Sequence, residues 1–107
     1  MKRLIIDTSS PLSVVHLEAD GRVFTVSSEG KSSALLLPQI EELLHAAGIA
    51  LDDLEEIIAH DGPGSFTGVR TGLLIAQTLA AVKKIPFTSR SLSNETGKSL
   101  YKFSNDV

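Results

Sequence analysis

Apolar positions along this chain follow two regimes, short runs and period-two alternation at the start and helical spacing later. Leu4-Ile5-Ile6 is a short apolar run, as in a strand buried on both faces. It stops at Asp7-Thr8-Ser9-Ser10-Pro11, a succession of turn formers. Leu12 to Ala19 is rich in Val and Leu, and Arg22 to Ser28 alternates Val23, Thr25 and Ser27 with Phe24, Val26 and Ser28. Between them Asp20-Gly21 supplies the positive backbone angles of a tight hairpin. Three short strands therefore open the chain, at least two of them antiparallel.

From Ser33 the spacing becomes helical, with Leu36, Leu37, Ile40, Leu43, Leu44 and Ala47 three and four apart and Gly48 as the stop. Pro38 lies deep in this segment, so the helix is either kinked there or regular only from about Leu37. Asp52 or Asp53 can cap a short helical turn through Glu56, and Ile57-Ile58-Ala59 supplies a buried strand. A long helix is predicted from about Phe66 to Val82, followed by Lys83 and Lys84, whose charge suits a helix C-terminus. Ile85-Pro86-Phe87-Thr88 begins another strand, and Ser89 to Val107 carries a final helix or a frayed tail. The order βββ-α-β-α-β implies an α/β fold with a mixed sheet and helices packed on it.

Composition narrows the function classes. With 42% hydrophobic and 21% charged residues, the 107-residue chain suits one packed domain and is too short for two independent cores. A net charge of -3 argues against direct grip on nucleic acid, so any link to RNA is expected to be indirect. The absence of cysteine excludes disulfides, thiolate catalysis and Cys-based zinc sites. Met1 to Asp7 reaches an acid after three apolar residues, far short of a signal-peptide apolar region. The stretch Leu73 to Val82 is interrupted by Gln77 and Thr78 and too short for a bilayer. The expected location is the cytoplasm, without membrane contact.

The candidate chemistry centres on Gly62-Pro63-Gly64-Ser65-Phe66-Thr67-Gly68-Val69-Arg70, between a predicted strand and a predicted helix. Gly62 and Gly64 permit a sharp turn, and Ser65 or Thr67 can cap the helix, whose N-terminal N–H groups could hold an anion. A ligand-free strand-to-helix turn accounts for the same residues. The segment is neither a Walker loop nor a dinucleotide fingerprint. Ser65 lacks the flanking glycines of a nucleophile elbow. Asp7, at the end of the first strand, could bind Mg²⁺ or orient a phosphate, and equally could make an Asx turn with Thr8 and Ser9. His16, His45 and His60 show no metal-ligand spacing and are expected at the surface or as satisfied histidines. Gly68, Gly72, Ala76 and Ala80 stand four apart, a row of small residues that lets two backbones approach, within the monomer or with another protein.

The string from Gly62 to Arg70, followed by Gly72, resembles the signature of the TsaB (YeaZ) family. So do Ile6-Asp7-Thr8-Ser9 with Ser13-Val14-Val15, Leu36-Leu37-Pro38, Ala47-Gly48, Asp53-Leu54, Ile85-Pro86 and Ser91-Leu92, in order and at about the family's spacing. The family signature loop here is Gly62, Pro63, Gly64, Ser65, Phe66, Thr67 and Gly68. The resemblance covers Met1 to about Thr96 and implies a ribonuclease H-like fold of the actin-like ATPase superfamily. Two departures stand out: Ser32 occupies a position where the family usually has His, and His60-Asp61 stands where a Gly and a variable residue are more usual.

What the resemblance implies is a non-catalytic scaffold or dimerisation subunit of tRNA threonylcarbamoyladenosine formation, with no catalytic, cofactor or metal residues of its own. Its implied partners are a TsaD-like transferase subunit, a TsaE-like ATPase through that complex, a second copy of the chain, and tRNA only indirectly. Pairing through the two helices would use Leu36, Leu37, Ile40, Leu44, Gly68, Gly72 and Ala76. The alternative is an ATP-dependent transferase or glycoprotease-like enzyme using Asp7 and the glycine loop. The family chain continues into a second domain of similar size. One actin-like lobe over residues 1–107 is therefore expected here, as a fragment or a shortened member.

Overall fold

β1 (Lys2–Asp7) lies at the centre of a five-stranded sheet because Leu4, Ile5 and Ile6 are apolar on both of its faces, and all three are buried. The computed structural model describes residues 1–8, 12–29, 33–61 and 66–90. After β1 come β2 (Leu12–Ala19), β3 (Arg22–Glu29), α1 (Ser33–Ala47), a 3₁₀ turn (Leu51–Asp53), β4 (Glu56–His60), α2 (Phe66–Lys83) and β5 (Phe87–Arg90). The strand order is β3-β2-β1-β4-β5, with β1 antiparallel to β2 and parallel to β4, and β5 parallel to β4. The expected element order and mixed sheet are both present, in the arrangement of a ribonuclease H-like lobe.

Local chemistry sets the turns. Asp20 and Gly21 have φ of 52° and 88°, the two positive angles that a two-residue hairpin connection needs between Ala19 and Arg22. The Asp20 carboxylate also holds the Met1 amino group and the Lys2 Nζ, each at 3.2 Å. Gly48 ends α1 with φ 73°, and the Ile49 N–H donates to the Leu44 carbonyl at 3.1 Å. Lys84 ends α2 in the same way with φ 57°, and the Ile85 N–H donates to the Ala80 carbonyl at 2.9 Å. Without glycine that left-handed cap costs about 1 kcal/mol.

One boundary left open is decided, and two others differ from expectation. Pro38 is the sixth residue of α1, so the helix begins at Ser33, ahead of the proline, which has no N–H to donate to the Ala34 carbonyl. The turn after α1 ends at Asp53, whose carboxylate accepts the Ala50 N–H at 2.9 Å. Glu56 already belongs to β4, where it pairs with Arg3. β5 begins at Phe87 because Ile85 is engaged in closing α2. The segment after Arg90, for which a helix or a tail was expected, lies outside the described residues.

Both helices pack on one face of the sheet. Leu36, Ile40, Leu43 and Leu44 of α1 and Ile75, Ala76 and Ala80 of α2 form one cluster with Leu4, Ile6, Val15, Leu17, Ile57 and Ala59. Side chains alternate along strands, and cross-strand partners share a face. Ile5, Asp7, His16, Ile58 and His60 therefore point to the opposite face.

Candidate functional site

The small-residue row of α2 turns inward. A Cβ built on Gly72 would stand 2.5 Å from Thr8 Oγ1 and 3.4 Å from Ile6 Cγ2, so α2 lies against the end of β1 at a distance that only glycine permits. Ala76 is fully buried and Ala80 nearly so. The expectation that Gly72 and Ala76 meet a partner is therefore corrected: their neighbour is this chain's own sheet. The physical reason is that a helix lying over a parallel β1–β4 pair must pass close to the strand end carrying Thr8. Gly68 lies in the first turn of α2, and its surroundings, like the signature loop 62–65, fall outside the described residues.

α1 divides differently. Leu36 is fully buried and Ile40 and Leu44 nearly so, all three within the core cluster, whereas Leu37 is 45% exposed. Leu36 is thus a core residue and not a partner contact. Leu37, Ile40 and Leu44 instead line a groove of about 580 Å³ between the helices, together with Glu41 and His45 of α1 and Leu79 of α2. Leu74 and Val82 of α2 are also exposed, at 66% and 70%. Sequence reasoning missed this pair. Its signal was available: Leu74 and Val82 are eight apart, in one helical row, on the side of α2 away from Gly72 and Ala76, where polar residues belong.

A polar seam occupies the other face of the sheet. The β1–β4 register sets Asp7 beside His60, with His60 Nδ1 3.8 Å from Asp7 Oδ1 and both side chains buried. On β2, His16 is 3% exposed and its Nδ1 lies 2.9 Å from the Thr25 hydroxyl of β3. Burial pushes the His16 imidazole below its usual range, and the Asp7 charge acts in the opposite direction. Asp7 and His60, fifty-three positions apart, were expected to have separate roles, and parallel strand pairing brings them together. His16 and His60 are interior residues, whereas His45 is exposed. Among the described residues no three His, Asp, Glu or Cys side chains gather as a metal-holding group. No helix among them is long and apolar enough to cross a membrane.

A family model described as TsaD, tRNA N6-adenosine threonylcarbamoyltransferase, matches residues 15–89. The tRNA threonylcarbamoyladenosine biosynthesis protein TsaB of Escherichia coli (strain K12) is 37% identical over 89 residues, covering 80% of this chain and 38% of that protein. YeaZ from Pseudomonas aeruginosa superposes with a TM-score of 0.79 at 34% identity, covering 84% of this chain and 42% of that one. Thermus thermophilus RuvC, bound to a Holliday junction substrate, has a TM-score of 0.56 at 12% identity over 85% of this chain and 64% of its own, a likeness of fold alone. The chain spans about two fifths of the TsaB and YeaZ relatives it matches. The chain belongs to the TsaB (YeaZ) family.

Proposed function

We propose that this chain serves tRNA threonylcarbamoyladenosine formation as a non-catalytic scaffold lobe, pairing through the outer surface of α1 and α2 with a TsaD-like transferase subunit or with a second copy of itself. The observation that carries this is the exposed apolar surface of the helix pair: Leu37 beside the groove, and Leu74 and Val82 on α2. Aliphatic side chains left in water on one side of a small domain mark an association surface. The net charge of -3 supports contact with tRNA through that partner. The rival enzyme reading needs the Asp7 carboxylate to reach a ligand, but Asp7 is 2% exposed and faces His60.

The test is capture of a purified TsaD-like subunit by the wild-type chain and by Leu37→Glu and Leu74→Glu. Burying one leucine at an interface contributes about 1.5–3 kcal/mol, so each variant weakens capture about tenfold or more. Circular dichroism stays as in wild type, since both side chains are solvent-facing. Undiminished capture by both variants refutes the assignment of this surface. Nucleotide hydrolysis that disappears in Asp7→Ala refutes the non-catalytic role.

A further inference from the structure

The sheet ends on β3, whose outer side carries no strand among the described residues. This edge is long and regular. All the residues of Arg22–Glu29 pair one to one with β2 without a bulge, and none is Pro or Lys, devices that blunt an exposed edge. By contrast β5, at the other end of the sheet, has only 4 residues. The hairpin turn fixes which backbone groups β3 shows outward. A two-residue connection with positive φ at Asp20 and Gly21 is closed by an Ala19–Arg22 pair that exchanges both hydrogen bonds, and such pairs alternate along an antiparallel ladder. Phe24 and Val26 therefore bond to Leu17 and Val15, while the N–H and C=O groups of Val23, Thr25 and Ser27 point away from β2. Thr25 and Ser27 are exposed, and Phe24 and Val26 are only partly buried against the core.

We infer that β3 is a second association surface of the lobe, on which another copy of this chain lays its own β3 antiparallel and extends the sheet. The strand is self-complementary about Thr25. A two-fold axis through Thr25 and normal to the sheet sets Thr25 opposite Thr25, Val23 opposite Ser27, and Phe24 opposite Val26 on either side. The outward N–H and C=O groups of Val23, Thr25 and Ser27 then meet those of the copy and close a pair of backbone hydrogen bonds at each position. Threonine against threonine, and an aromatic against a β-branched residue, are cross-strand pairs that stabilise a sheet. An axis through Val26 instead sets Phe24 against Ser28 and Val23 against Glu29, and loses both. The helices leave room for this pairing. In each copy α1 lies over β2 and β3, so two strand widths, about 10 Å, separate the two α1 helices, an ordinary helix-packing distance.

The test uses the full chain, which has no cysteine of its own. Thr25→Cys sets two thiols opposite each other with Cα atoms about 5.5 Å apart, within disulfide reach, whereas the thiols of Ser27→Cys lie about 14 Å apart along the paired strands. Mild oxidation is expected to convert Thr25→Cys to a covalent dimer on a non-reducing gel and to leave Ser27→Cys monomeric. Sedimentation of the wild type from micromolar to near-millimolar concentration is expected to show a monomer–dimer equilibrium. Ser27→Pro removes an outward N–H without touching the bonds to β2, and weakens that equilibrium about tenfold or more. Circular dichroism checks the fold of each variant. A wild type that stays monomeric throughout, or Ser27→Cys that crosslinks as readily as Thr25→Cys, overturns the inference. So does a dimer that survives Ser27→Pro and is lost in Leu37→Glu, which assigns self-association to the helices. Should Ser27→Pro fail to fold, the two cysteine variants decide.

Discussion

Replacing Gly72 tests where α2 finds its neighbour. In an unconstrained helix interior, Gly→Ala stabilises by about 1 kcal/mol. Here the added methyl arrives 2.5 Å from Thr8 Oγ1, nearly 1 Å inside ordinary van der Waals contact, and 3.5 Å from Thr8 Cβ. Thr8 is fully buried at the end of β1, so it cannot swing into solvent. Overpacking of this kind costs about 1–3 kcal/mol. Set against the helix-propensity gain, Gly72→Ala is expected to destabilise by about 1 kcal/mol, lowering the thermal midpoint by about 4–8 °C for a domain of this size. Gly72→Leu adds three more carbons to the same space and is expected to unfold the lobe. The assay is thermal and urea unfolding followed by circular dichroism for Gly72→Ala, Thr8→Ala and the double variant. In the double variant the clash is relieved, and the two effects are non-additive in the favourable direction. A Gly72→Ala protein as stable as wild type, or Gly72→Leu that folds and loses only its partner, refutes packing of this row inside the monomer.

Ile57→Ala, a truncation at a fully buried site of β4 within the common core, is expected to cost about 2–5 kcal/mol. A loss under 1 kcal/mol in urea unfolding would mean that the site collapses around the void. Asp20→Asn keeps a residue that tolerates positive φ while removing the charge that meets Lys2 and the Met1 amine. Those partners, Lys2 first, hold the Asp20 carboxyl below its usual range, so its contribution is present above the ordinary aspartate value and lost as the pH falls through the lower folded one. Asparagine should abolish this small acid limb with the turn intact, whereas added salt should screen it in wild type. Hairpin disruption in Asp20→Asn, seen by NMR, would show that the carboxylate and not the backbone angle holds the turn.

Most elements were legible because their signals are local. Asp20-Gly21 announced a hairpin, Gly48 a helix end, and the three-and-four spacing from Leu36 to Ala47 a helix, each through backbone preferences of neighbouring residues. The left-handed cap at Lys84 was not legible in the same way, because a lysine carries no preference for positive φ and adopts it here where the chain turns back to lay β5 beside β4. The candidate partner surface was half legible. The apolar side of α1 was plain, but spacing ranks Leu36 and Leu37 alike, and only packing on the sheet buries the first and exposes the second.

Sequence by itself determined the element order, the mixed sheet and the family, since these follow from local periodicity, turn chemistry and a contiguous signature string. Only the tertiary structure decided that the Gly72 row faces Thr8, that Leu74 and Val82 remain in solvent, and that Asp7 meets His60 across fifty-three positions. The reason is that spacing along a chain states which residues share a helix face or a strand face, whereas the orientation of that face, and the strand that becomes its neighbour, come from long-range pairing of β1 with β4.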